Sequence, residues 1–132
     1  MERYVAMLRT DMDDRDITEW AMAETGVDIP VKFITGREDL DALIAASGDP
    51  ALLLLNDSGA AHKGHERLKH FKSNPAYNHI PVVLLGEMST REYIRECYKA
   101  GANSFIIKPS TVAETKAKVR DFFNYWFNVA EL

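Results

Sequence analysis

Two apolar runs of this chain end in residues able to do chemistry. Ala51 to Leu55 leads into Asn56-Asp57, and Ser104 to Ile107 leads into Lys108-Pro109. An anionic oxygen at the end of the first run would be a nucleophile or a cation ligand, with a lysine near it to balance charge. The first place is held by Asn56, and a carboxamide is neutral and a very poor nucleophile. Asp57 follows, but successive side chains of a strand point to opposite faces. Asp57 is therefore expected to point away from a site that Asn56 faces, unless the strand ends early or bulges. Two further apolar runs end in Arg9-Thr10-Asp11 and in Gly86-Glu87.

The elements that must carry these residues are strands alternating with amphipathic helices. Tyr4 to Leu8 reads as a buried strand. Asp11, Asp13 and Asp14 then open a helix, where negative charge meets the positive end of the macrodipole. Ile17, Trp20 and Ala21 give that helix an inward face, and Gly26 ends it. Val31 to Ile34 is a second strand, and Glu38 to Ala46 a helix with Leu40, Leu43 and Ile44 inward. Ala51 to Leu55 is apolar without interruption, which implies cover on both faces and so a parallel sheet. His62 to Lys72 forms the next helix, with Leu68 and Phe71 inward. Val82 to Leu85 is the fourth strand, Thr90 to Ala100 a helix closed by Gly101, and Phe105 to Ile107 the fifth strand. Val112, Val119, Phe123 and Trp126 mark the last helix. Five strands alternating with five helices make a doubly wound α/β domain over residues 1–132. In such a sheet the functional crevice lies beyond the carboxyl ends of the strands. Arg9, Thr10, Asp11, Asn56, Asp57, Gly86 and Lys108 are thereby expected in one region. Polar residues also follow buried strands simply because loops face water, so topology alone does not assign the site.

Composition narrows the class. The 132 residues are 46% hydrophobic and 27% charged, which is ordinary for a globular domain able to bury a core without disulfides or metals. A formal net charge of −4 argues against a nucleic-acid partner, which would require a basic face. No apolar run approaches the roughly 20 residues of a membrane span, and no signal-peptide pattern precedes the first strand. The single Cys97 permits no internal disulfide and fits a reducing compartment, so a cytoplasmic location is expected.

Taken together, LLLLND, the Gly64 turn into a helix, HIPVVLL, AGANSFIIKP and the acidic turn after the first strand resemble the CheY-like receiver domain of two-component response regulators. The stretches KSNPAYNHIPVVLL and GANSFIIKP, with the aromatic tail FFNYWF, look most like the phytochrome-associated subgroup. The resemblance implies a flavodoxin-like fold with strand order 2-1-3-4-5. It also implies a phosphoacceptor aspartate and two carboxylates that together hold Mg²⁺, a hard cation that prefers oxygen ligands. Aligned on this chain, the phosphoacceptor position is Asn56 and the two metal-site positions are Arg9 and Thr10. The hydroxyl that senses phosphate falls on Gly86, the switch aromatic on Phe105 and the phosphate-clamping cation on Lys108. Only the last two are retained in type, so Lys108-Pro109 reads as a structural turn. The chain looks like a degenerate receiver, a pseudo-receiver without metal, cofactor or enzymatic activity. The alternative is a receiver phosphorylated at Asp57 with Mg²⁺, Asp11 being brought inward by a one-residue shift.

Other patterns carry less. Asp11-Met12-Asp13 also suits the start of an aspartate-based phosphatase, but an acidic helix N-terminus explains it more simply. A nucleotide site would require a loop of glycine and hydroxyl residues where this chain has four acids between Asp11 and Asp16. His62 and His65 are two residues where a metal requires more, and are expected at the surface; His79 is expected in a loop. Cys97 is expected to be a small buried hydrophobe.

Phe122, Phe123, Tyr125, Trp126 and Phe127 cannot all face one sheet, and Tyr125 and Phe127 are expected to be partly exposed. Tyr125, Trp126 and Phe127 are thus candidate interface residues, because clustered exposed aromatics anchor interfaces. The resemblance implies a homodimer through the last helices and the C-terminal tail. It also implies a protein partner such as a sensor histidine kinase, with no nucleic acid and no membrane.

Overall fold

The computed structural model describes residues 3–8, 29–57, 63–86, 90–107 and 111–132, with the backbone alone for Asn56, Asp57, Lys63 and Val112. Five strands, β1 (Val5–Leu8), β2 (Val31–Ile34), β3 (Leu52–Asp57), β4 (Val82–Gly86) and β5 (Ser104–Ile107), form one sheet. Its order is β2-β1-β3-β4-β5 and every pairing is parallel. The described helices are α1 (Arg37–Ser47), α2 (Lys63–Ser73), α3 (Arg91–Lys99) and α4 (Val112–Asn124), the last continuing into a π-helical turn at Tyr125–Val129. The helix expected from Asp11 to Gly26 lies outside the described residues. Among these residues no helix is long and apolar enough to cross a membrane.

The pleat divides the core in two. Ala6, Leu8, Leu53, Leu55, Val82 and Leu84 point to one face, where they meet Leu40 of α1, Leu68 and Phe71 of α2, and Cys97 of α3. Val5, Met7, Leu52, Leu54 and Val83 point to the other, against Phe123 of α4 with Val119, Phe122, Trp126 and Phe127 around it. Leu52, Leu53 and Leu55 are fully buried, as a parallel strand covered on both faces requires. Thr90 and Thr111 cap α3 and α4, each accepting from the amide three residues on, at 3.2 Å in both cases. α1 starts differently: the Asp39 carboxylate turns back to accept from the Thr35 hydroxyl and from its amide. Those bonds, the hydroxyl first, hold the Asp39 carboxyl below its ordinary pKa.

The aromatic tail divides between core and surface, as its spacing suggests. Phe122, Phe123, Trp126 and Phe127 stand at i, i+1, i+4 and i+5, which share one broad helix face. All four reach the second core cluster, and Phe127 stays partly exposed there, as expected. It stacks on Phe123 at 5.8 Å, under the Arg3 guanidinium at 5.0 Å. Tyr125 alone of the five is left outward, 49% exposed.

Gly101 ends α3 with φ +113°, a conformation that side chains rarely adopt. A Cβ there would lie 3.0 Å from Cγ of Lys72. The Lys72 stem fills this space while its ammonium donates to the Ile80 carbonyl at 3.0 Å, and burial lowers its pKa. Gly101→Ala is expected to cost about 1–2 kcal/mol in urea unfolding, from backbone strain and displacement of Lys72. A shift of less than about 0.3 kcal/mol would show that the turn relaxes instead.

Candidate functional site

β3 runs two residues further than its apolar pattern, and this brings both candidate acceptor positions into the sheet. Leu55 is registered with Leu8 of β1, Asn56 with Leu85 and Asp57 with Gly86. The strand neither stops early nor bulges before Asp57, so Asn56 and Asp57 occupy positions on opposite faces. Gly86, buried at the end of β4, is registered with Asp57 on one side and with Ile107 of β5 on the other. The carboxyl ends of β3, β4 and β5 therefore meet at Gly86, which offers no hydroxyl there. Arg9, Thr10, Asp11 and Lys108 lie outside the described residues, as do Ser58, His62 and Glu87.

Phe105 is half-buried on β5 and packs against the first core cluster. Its ring meets Tyr93 of α3 edge to face, with centroids 6.3 Å apart and planes at 87°. Its amide donates to the Tyr98 hydroxyl, also on α3, at 3.1 Å. Two residues on, the Ile107 carbonyl accepts from the Lys118 ammonium of α4 at 2.8 Å. Tyr93, Tyr98 and Lys118 were not legible as site residues, because a tyrosine or lysine on a helix carries no pattern that reveals which strand it will reach.

His65 departs from its surface expectation. It is half-buried on α2, with its ring 6.2 Å from Tyr93 and an Nε2 that is buried without a hydrogen-bond partner among the described residues. His79 does sit exposed before β4, where it pairs with Asp49 at 2.7 Å. Cys97 is fully buried, as its helical position suggested. Among the described residues no three His, Cys, Asp or Glu side chains are grouped to hold a metal. A separate open cleft of about 250 Å³ lies between the start of α1 and α2, lined by Leu8, Thr35, Gly36, Arg37, Glu66, Arg67, His70 and Phe71. None of the expected site residues lines it.

A parallel sheet in the order β2-β1-β3-β4-β5, covered by helices on both faces, is the flavodoxin-like architecture of CheY. No protein-family model matches the chain. The probable methanogenesis regulatory protein FilR2 of Methanothrix harundinacea is 30% identical over 95 residues, 69% of this chain and 61% of that protein. The chain thus spans less than two thirds of this relative. The phosphorylated cyanobacterial phytochrome response regulator RcpA superposes with a TM-score of 0.83 at 22% identity, over 100% of this chain and 99% of that one. A response-regulator receiver domain from Rhodospirillum rubrum superposes with a TM-score of 0.77 at 25% identity, over 98% of this chain and 96% of that one. The described residues have the fold of a CheY-like receiver domain, structurally close to the phytochrome response regulator RcpA.

The orphaned nitrogen gives a test of the packing beside the site. His65→Leu keeps an apolar contact with Tyr93 and removes an Nε2 without a partner among the described residues, and is expected to stabilise the domain by about 0.5–1 kcal/mol in urea unfolding. A loss of stability would show that Nε2 has a partner in solution.

Proposed function

We propose that this chain is an atypical response-regulator receiver domain of two-component-type signal transduction that accepts no phosphoryl group and works in the cytoplasm through protein contacts. The observation that carries the proposal is Asn56, set by the unbroken β3–β4 register at the strand end where phosphotransfer would require an anionic oxygen. The sequence supports it at three further positions. Arg9 and Thr10 supply no anion for Mg²⁺, and Gly86 supplies no hydroxyl. A donor set of arginine, threonine and asparagine carries no anionic oxygen and does not fit a hard divalent cation. Asp57 would have to leave its ladder position opposite Gly86 to serve the same crevice.

Intact mass after incubation with acetyl phosphate and Mg²⁺ is the direct test. The expected spectrum is that of the unmodified chain. A stoichiometric gain of one phosphoryl group would overturn the proposal, and loss of that label in Asp57→Asn would assign it to Asp57.

The contact surface we propose is the end of α4 with the tail, used by a second copy of the chain, with a sensor kinase or other signalling protein as further partner. Tyr125 and Val129, four residues apart in the last turn, are 49% and 66% exposed, and Leu132 beyond the helix end is 49% exposed, which supports an apolar patch beyond the core. Trp126 and Phe127 contribute mainly by holding that turn against the sheet. Light scattering is expected to give a dimer that Tyr125→Ala weakens and Val129→Asp abolishes, both without loss of fold. A monomer at high concentration would exclude the second copy as the occupant.

A further inference from the structure

Helix α3 touches Phe105 in two ways that differ in kind. Tyr93 packs its ring edge to face against the Phe105 ring, a contact of dispersion and quadrupole. Tyr98 takes the Phe105 amide on its hydroxyl oxygen, a hydrogen bond to the backbone. β5 is an edge strand, and the outward groups of an edge strand have no strand partner. The outward amide at Phe105 is therefore held by α3 and the carbonyl of Ile107 by Lys118 of α4. His65 of α2 backs Tyr93 at 6.2 Å and 61°, so the Tyr93 ring is wedged between α2 and β5.

We infer that α3 is a latch on β5, in which Tyr93 and Tyr98 together hold Phe105 in its packed position. A switch residue needs something to select one of its positions. Gly86 presents no hydroxyl at the end of β4 to do so, whereas α3 grips both the ring and the backbone of Phe105. Tyr93 stands at the third residue of α3 and Tyr98 at the eighth, so the two contacts clamp β5 from opposite ends of one short helix. The latch can be reached from outside, because Tyr98 is 47% exposed. The inference rests on reading Phe105 as the switch position of the proposed receiver.

Residue-resolved amide hydrogen exchange by NMR, in the absence of any phosphodonor, tests the latch. Tyr98→Phe keeps the ring and removes only the hydroxyl. The Phe105 amide is expected to exchange about tenfold faster, with the amides of α3 and the rest of β5 accelerated alongside it and those of β1 and β3 unchanged. Tyr93→Leu is expected to loosen the same two elements together while leaving Tyr98 in place. An unchanged Phe105 rate in Tyr98→Phe overturns the inference. Acceleration confined to that one amide overturns it too, since it would mark a local hydrogen bond and no latch. The measurement needs no phosphorylation chemistry, so its outcome is separate from that of the acetyl phosphate test.

Discussion

β3 lies between β1 and β4 and under helices on both faces, so Leu52 to Leu55 must be apolar on both sides of the pleat and every backbone group must find a ladder partner. That constraint organises the domain. It requires a helix layer on each face, and the crossover connections that supply those helices bring all five strands out in the same direction. It also confines polarity to the place where cover stops. Asn56 and Asp57 stand there, the first polar residues after four leucines, and Gly86 closes the ladder beside them.

At such a strand end the charge of one side chain separates phosphotransfer chemistry from protein binding. A carboxylate beside a cation can attack phosphorus, and a carboxamide in the same frame keeps the hydrogen-bonding shape without the nucleophile. The frame survives because it has other work. The β3–β4–β5 ladder and the packing of Phe105 hold the sheet whether or not a phosphoryl group ever arrives. A fold of this kind can thus stay a stable scaffold with either side chain at that strand end.

Much of this was legible before any coordinates. The alternation of short apolar runs with amphipathic stretches yields the five strands, because burial on both faces leaves an unmistakable run such as LLLL. Helix ends were legible where a residue type has one job, as at Gly101 or Thr90. The reach of β3 through Asp57 was not, since polar residues at the end of a buried strand look like a loop in sequence. That the aromatics of the tail could not all be buried was legible, and Tyr125 and Phe127 do remain partly exposed. Five aromatics in six positions exceed one face only if all are counted, and the four at i, i+1, i+4 and i+5 fit it once the helix is placed on the sheet. His65 reads as a surface residue on a polar helix until α3 brings Tyr93 over it.

The sequence by itself determined the residue types at the strand ends, and with them the absence of an anionic oxygen at Asn56 and of a hydroxyl at Gly86. Residue identity is local, and these chemical limits hold in any fold. Only the tertiary structure decided which residues hold which. Tyr98 meets the amide of Phe105, Lys118 the carbonyl of Ile107, and Tyr93 fits between His65 and Phe105. Those pairings depend on helix tilt, strand register and the depth to which each helix settles on the sheet. Such quantities arise from packing the whole chain at once, and no short stretch of it encodes them.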